Sequence, residues 1–183
     1  RKIIKLIKNN INMFAAHTNL DAAKGGTNDV LAEMIGLKNL TVLSEGCEDG
    51  IGIGKIGYFD GDMTLGMLSV KIKEALGLDA VRVIGNLSSK VEKAALCTGA
   101  GSEFMDDAVR EGCDVFITSD IRYHEAMDAV DKKIALIDAT HYATENIIVP
   151  VIAQYLRKKL DTRGIKDVEV IETTVNGQPF VHI

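Results

Sequence analysis

Two histidine–carboxylate pairs with a spacing of four residues stand out in the sequence, His17 with Asp21 and His141 with Glu145. On one turn of a helix this spacing points both side chains of a pair in the same direction. Imidazole and carboxylate together suit a borderline cation such as zinc, manganese or iron(II), and a carboxylate can also bridge two ions. A single such pair is more often an ordinary surface histidine beside an acid. Two pairs in similar positions favour a divalent-metal site, and we predict that these four residues are its ligands.

A third pair, Asp120 and His124, has the same spacing. These two residues could be a further ligand pair, could orient a ligand, or could transfer a proton. The simpler alternative is that Asp120 caps the N-terminus of the following helix. Asp120 and His124 are therefore the candidate catalytic residues, with a cap or an orienting role for Asp120 favoured over direct ligation.

The turn Gly99-Ala100-Gly101-Ser102 separates a predicted strand from a predicted helix. Glycines at such a turn allow close backbone approach, and a helix N-terminus can bind an anion. The sequence lacks the full dinucleotide-binding fingerprint. A tight turn with Ser102 as the N-cap of the following helix explains these glycines equally well.

The elements around these residues predict an α/β fold with mostly parallel β-α-β units, because short apolar strands alternate with longer helices. Predicted strands at residues 11–16, 114–118 and 134–138 end just before His17, Asp120 and His141 respectively. Ligands collect beyond the carboxyl ends of strands in such sheets. Further strands are predicted at 80–84, 93–97 and 168–175 and within 41–60, and helices at 1–9, 28–35, 67–76, 102–111, 119–129 and 144–160.

The composition describes a globular chain of 183 residues, 46% hydrophobic and 26% charged. Its net charge of −5 disfavours a nucleic-acid partner, which usually needs a basic face. No apolar run is long enough to span a bilayer, and no signal peptide is visible, so we expect no membrane association and a cytoplasmic location. The widely spaced Cys47, Cys97 and Cys113 predict reduced thiols.

Four stretches of the chain resemble a known family. Residues 15–21 (AAHTNLD), followed by Gly25-Gly26 and Asn28-Asp29, are similar to the first signature of the Nif-three-like family, whose bacterial members are labelled GTP cyclohydrolase type 2 homologues. Residues 137–145 (IDATHYATE) are similar to its second signature, and residues 99–101 and 117–124 also fit. The resemblance covers nearly the whole chain, as a single domain over residues 1–183.

The resemblance implies a fold of two α/β lobes, assembly into a hexameric ring, and two divalent metal ions in each intact subunit. Asp21, His141 and Glu145 match metal ligands of the family, with Glu145 the best candidate to bridge the ions. His17 matches a residue at or beside the metals.

Two features depart from the family pattern. The family also takes a His-His-Pro motif from an N-terminal strand end, and the sequence has no His-His. We therefore expect the domain to be N-terminally incomplete and this chain alone to bind metal weakly or not at all. Thr140 replaces the glycine that is usual before this histidine.

Two functions are compatible with this picture. The first is a metal-dependent hydrolase that uses metal-activated water on a nucleotide or related small molecule. The alternative is a non-catalytic, metal-stabilised ring that binds a partner protein or a metabolite. A coordination position open to a pocket would favour the enzyme.

Overall fold

The computed structural model describes residues 1–46 and 51–180, so that Cys47 and Gly50 lie outside the described residues. The helices are α1 (Lys2–Lys8), α2 (Thr18–Ala22), α3 (Thr27–Met34), α4 (Leu65–Ala75), α5 (Met105–Arg110), α6 (Tyr123–Lys132), α7 (His141–Asn146) and α8 (Ile148–Thr162), with a 3-10 turn at Ser102–Phe104. The strands are β1 (Lys38–Glu45), β2 (Gly52–Tyr58), β3 (Arg82–Ile84), β4 (Lys93–Leu96), β5 (Val115–Thr118) and β6 (Ala135–Asp138).

All six strands belong to one sheet with the order β1-β2-β4-β5-β6-β3. Strands β4, β5 and β6 are parallel, and α5 and α6 supply the crossovers between them. Strands β1, β2 and β3 add antiparallel pairs at the two sides. The α/β class predicted from the sequence is confirmed. The parallel centre is the part that matters for the site, because its carboxyl ends meet at one edge of the sheet.

The core lies on both faces of this sheet. Neighbouring residues of a strand point to opposite faces, so Phe116 and Ile117 of β5 enter different apolar clusters. Ile117 packs in the cluster that contains Leu31 of α3 and Leu68 of α4. Phe116 packs in the cluster that contains Ala129 of α6. Burial on both faces explains why the central strands are continuous apolar runs.

Two predicted strands are absent from the described residues. Residues 11–16 are exposed and unpaired, so His17 does not follow a strand as predicted. Residues 168–175 also form no strand; this segment runs beside α8, where Arg157 donates to the Glu172 carboxylate at 2.8 Å and to the Val170 carbonyl at 2.9 Å. Apolar alternation favours extended backbone, but a strand also needs a partner for its peptide groups.

The long helix predicted at 144–160 is two helices. Helix α7 begins earlier, at His141, and α8 follows after the junction at Ile147. Pro150 lies in the first turn of α8, where a backbone N–H has no intrahelical acceptor to lose. Within the described ranges, every helix is too short or too polar to cross a membrane.

The start of α6 is held by Glu125, whose side chain is 13% exposed. Its carboxylate accepts from the Arg122 side chain at Nε (2.9 Å), from the Arg122 backbone N–H (2.7 Å) and from the Ser102 hydroxyl (2.8 Å). The hydrogen bond from the Arg122 side chain is the main reason that the pKa of Glu125 falls from 4.5 to about 2. Ser102 therefore binds Glu125 and does not cap its own helix as one reading of the sequence predicted.

Glu125→Gln is expected to lower the free energy of unfolding by about 1 kcal/mol at neutral pH, since charge-assisted bonds are lost but Arg122 is solvent-exposed. A pKa lowered by folding gives stability that is present above pH 4.5 and lost as the pH falls toward 2. The difference between wild type and variant should therefore shrink over that interval. Urea unfolding from pH 7 to pH 2.5 measures this, and a constant difference would contradict it.

Candidate functional site

The first predicted pair lies on the short helix α2. His17 immediately precedes this helix, and Asp21 is its fourth residue, so a single turn separates them. The His17 backbone N–H donates to Asn19 Oδ1 at 2.8 Å. The His17 side chain is exposed, whereas Asp21 is half-buried against β4.

Asp21 is held in place by Asn28, a fully buried residue of α3. Asn28 Nδ2 donates to the Asp21 carbonyl at 3.0 Å, and its Oδ1 accepts from the backbone N–H of Thr98 at 2.9 Å. Asn28 thus ties α2 to the carboxyl end of β4. Gly26 occupies the N-cap position of α3.

Asn28→Ala is expected to lower the free energy of unfolding by about 2 kcal/mol, because it leaves the buried N–H of Thr98 and the half-buried carbonyl of Asp21 without their partner. Thermal or urea unfolding measures the change. A loss below about 0.5 kcal/mol would show that the Asn28 bonds do not organise this region.

The second pair lies on α7, where His141 is the first residue and Glu145 the fifth. His141 Nε2 lies 3.0 Å from Glu145 Oε1, as the spacing of four predicted. The other ring nitrogen, Nδ1, lies 2.7 Å from Asp120 Oδ2. Asp120 therefore holds the imidazole from the opposite side. It does not cap α6, whose N-cap is Arg122.

The pKa of His141 is affected in two opposite directions. Partial burial lowers it, but the hydrogen bond to Asp120 and the negative charges of Glu145 and Asp120 outweigh burial and raise it above its ordinary value. The carboxylates around His141 therefore favour a positively charged imidazole. A bound cation would supply positive charge at the same place.

Gly99 brings the turn after β4 directly against the second pair. Its φ of +68° is in the left-handed region. A Cβ at this position would lie 2.6 Å from Glu145 Oε1 and 3.4 Å from His141 Nε2. The Gly99 N–H donates to the buried Thr144 hydroxyl at 3.1 Å, which fixes the turn on α7. The glycine predicted to allow close backbone approach therefore does so toward a carboxylate and an imidazole.

Thr140 occupies the position where the sequence departs from the family signature. Its φ is +62° and its ψ is +139°, a conformation that L-residues rarely adopt and glycine adopts freely. Its Oγ1 is buried and finds no partner among the described residues. The glycine that the family resemblance led us to expect at this position would adopt this conformation without strain.

Two neighbouring cavities meet at Glu145. A cavity of about 280 Å³ is lined by His17, Asp21 and Glu145, and one of about 690 Å³ by Asp120, His141 and Glu145. The four predicted ligands are thus divided between two cavities that share a carboxylate. Over residues 1–46 and 51–180, no three histidine, cysteine or acidic side chains form a group that could hold a metal ion.

His124 and the described cysteines lie outside this arrangement. The His124 ring packs edge-on against Tyr123, with 5.8 Å between ring centroids, and lines neither cavity. Burial raises the pKa of the Cys97 thiol to about 12 and that of Cys113 to about 11, so neither is a nucleophile at neutral pH. Of the two candidate catalytic residues, the structure places only Asp120 next to the predicted ligands.

Comparison with known proteins identifies the family. The family model Duf34/NIF3 (NGG1p interacting factor 3) matches residues 1–179. The chain belongs to the Duf34/NIF3 family. Two NIF3 relatives, each named GTP cyclohydrolase 1 type 2 homolog, come from Clostridium perfringens (34% identical, 100% of this chain, 69% of the relative) and Clostridium acetobutylicum (36%, 98% and 68%). The family resemblance seen in the sequence is confirmed.

A solved NIF3-family structure has the same fold. The Bacillus cereus protein related to NIF3 superposes with a TM-score of 0.91 at 25% sequence identity, covering 99% of this chain and 76% of that protein. The names of the two Clostridium relatives suggest an enzyme family.

The four predicted ligands of this NIF3 chain are of types that suit a divalent cation, but in the described part of the chain they do not lie together as a group of three or more. Two imidazoles and two carboxylates suit zinc, manganese or iron(II). The glycine at position 99 leaves open the space next to Glu145 and His141 that a Cβ would fill. His17, Asp21, His141 and Glu145 are the residues that would hold the metal.

Proposed function

We propose that this protein binds divalent metal ions through His17, Asp21, His141 and Glu145, with low affinity in this chain alone, and hydrolyses a nucleotide or related small molecule. The observation that carries the proposal is the position of Glu145, which lies between the cavity of His17 and Asp21 and the cavity of His141 and Asp120. A carboxylate between two sets of donors suits a bridging ligand. Bound metal would supply an activated water as the nucleophile.

The residues around the proposed ligands have separate tasks. Asp120 holds His141 Nδ1 and so leaves Nε2 directed toward Glu145. A carboxylate in this position fixes the tautomer and raises the basicity of the imidazole. Asp120 is also the group best placed to accept and return a proton, because it is half-exposed on the wall of the larger cavity.

The lining of the larger cavity combines charged and aromatic side chains. Tyr142 and Phe180 add aromatic surface beside the acidic residues. Its volume of about 690 Å³ is within the range of small-molecule sites. These features support a small-molecule substrate with a planar or apolar portion.

A homo-oligomer, with the hexameric ring as the expected form, is part of the same proposal. Helix α1 contributes no buried residue, and Ile3, Ile4 and Ile7 on it are more than half exposed. Phe14 of the following segment is 87% exposed. Exposed apolar side chains of this kind favour association.

Metal titration of the wild-type chain and of the double variant His17→Ala/His141→Ala tests the metal site. We expect zinc or manganese affinity to fall at least about 100-fold in the double variant, since two of four donors are lost. His124→Ala is the matched control, because it also removes imidazole but lies outside both cavities. Equal affinity in wild type and double variant would refute the metal site.

Chromatographic analysis of GTP incubated with metal-loaded protein tests the hydrolase. Metal-dependent product formation that the double variant lacks would support it. Metal binding without turnover of GTP or related nucleotides would instead support the non-catalytic ring.

A further inference from the structure

Arg82 lies at the edge of the sheet, beside the proposed site. It is the first residue of β3 and pairs with Asp138 of β6 in the antiparallel register. Its Nη2 donates to the Asp138 carboxylate and, at 2.9 Å, to the carbonyl of Ile121. Both hydrogen bonds of this guanidinium therefore use the same nitrogen.

The partner of Arg82 is buried although Arg82 is not. The Asp138 side chain is 5% exposed and that of Arg82 is 68% exposed. Asp138 also accepts from the backbone N–H groups of Ile121 (3.1 Å) and Thr140 (3.2 Å). A buried carboxylate with this many donors is firmly placed, so it fixes one side of the guanidinium. The N–H groups on Nε and Nη1 have no acceptor among the residues that the structure describes.

The remaining N–H groups belong to a side chain that lines the larger cavity together with Asp120, His141 and Glu145. Arg82 is the sole arginine or lysine among the described residues that line it. The carboxylates in this wall, Asp120, Asp138 and Glu145, repel an anionic ligand, and the His141 imidazole is the other group there that can carry positive charge. A permanent positive charge with spare donors in an acidic cavity is an anchor for a negatively charged group.

We propose that Arg82 binds the anionic group, a phosphate or a carboxylate, of the small molecule on which this site acts. The inference rests on the proposed function, because it assigns the substrate class of that same site. The anionic end lies at Arg82, and the reacting portion extends toward His141 and Glu145. Arg82 is a substrate-binding residue in this arrangement, whereas Asp138 positions it.

Titration of the chelator-treated chain with inorganic phosphate and, separately, with acetate at constant ionic strength tests the proposal without metal. Binding is followed by NMR through the Arg82 Nε–H and the backbone amides of Ile121 and Thr140. We expect saturable shifts of these signals with at least one of the two anions. Saturation with phosphate identifies a phosphorylated substrate, and saturation with acetate a carboxylate. Absence of saturable shifts with both anions would overturn the proposal.

Variants at position 82 add a second test. Arg82→Gln is expected to weaken anion binding at least 10-fold, and Arg110→Gln is the matched control. Arg110 is 66% exposed, pairs with Asp107 and lies outside the cavity, so the control makes the same change in net charge. Equal weakening in both variants would indicate general charge attraction and overturn the assignment.

Arg82→Lys provides the test if Arg82→Gln fails to fold because the buried Asp138 carboxylate has lost its cationic partner. Lysine keeps that ion pair, but its single ammonium is engaged by Asp138, so anion binding should still fall several-fold. A folded lysine variant that binds phosphate and acetate as tightly as wild type would overturn the proposal. Anion binding in a protein that fails to bind metal would leave this inference standing and refute the proposed hydrolase, so the two failures are distinguishable.

Discussion

Gly99→Ala is expected to lower metal-dependent hydrolysis by about 100-fold while lowering the free energy of unfolding by about 1–2 kcal/mol. The alanine Cβ would lie 2.6 Å from Glu145 Oε1, so this carboxylate must move. The colliding atom is the end of a flexible side chain, and the cost to folding is therefore mainly the φ of +68°, about 1–2 kcal/mol. Displacing a catalytic group by about 1 Å can cost about 100-fold in rate.

Gly112→Ala is a closely matched control for this prediction. Gly112 also has a φ of +68°, but a Cβ there would meet no atom within 4 Å. Both variants should lose similar amounts of stability in urea unfolding, and only the variant at position 99 should lose metal affinity and hydrolysis. Equal activity of the two variants would show that close contact with Gly99 does not position Glu145.

Glu145→Gln is expected to lower the affinity for zinc or manganese at least about 100-fold and to abolish metal-dependent hydrolysis. The change keeps the size of the side chain but removes the charge of the carboxylate that both cavities share. A neutral amide is a weaker ligand than a carboxylate and does not bridge two cations as effectively. Loss of a ligand should cost at least as much as loss of a group that supports one.

Glu33→Gln, on the exposed side of α3, makes the same change in net charge away from the site. Metal titration and GTP hydrolysis by the two variants separate the loss of a ligand at the site from the effect of the change in net charge. Unchanged metal affinity and rapid GTP hydrolysis in Glu145→Gln would contradict both the proposed ligand and the proposed mechanism.

Local features of the site could be predicted from the sequence because they depend on residues close together in the chain. The spacing of His141 and Glu145 predicted a shared direction on one helical turn, and their 3.0 Å contact follows from that geometry. The strands before Asp120 and His141 were predictable from apolar runs bounded by polar residues. The strand predicted before His17 was wrong, because apolar alternation cannot show whether a segment finds a pairing partner.

Contacts between distant segments were decided by the tertiary structure. No local pattern indicated that Asp120 contacts His141, that Gly99 lies against Glu145, or that Asn28 ties Asp21 to β4. The pairing of Arg82 with Asp138 likewise depends on β3 adding antiparallel to β6. Each of these contacts joins elements that only the strand order brings together.

The two histidine–carboxylate pairs show what the sequence determines and what the tertiary structure determines. Their residue types and their spacing of four are properties of the sequence, and they determine which donors exist and how each pair is oriented on its own helical turn. The packing of α2 and α7 beside the carboxyl ends of the central strands determines that the pairs lie next to each other and share the cavity wall at Glu145. Helical periodicity acts over a few residues, whereas convergence of two helices depends on burial of both faces of the sheet, which involves the whole chain.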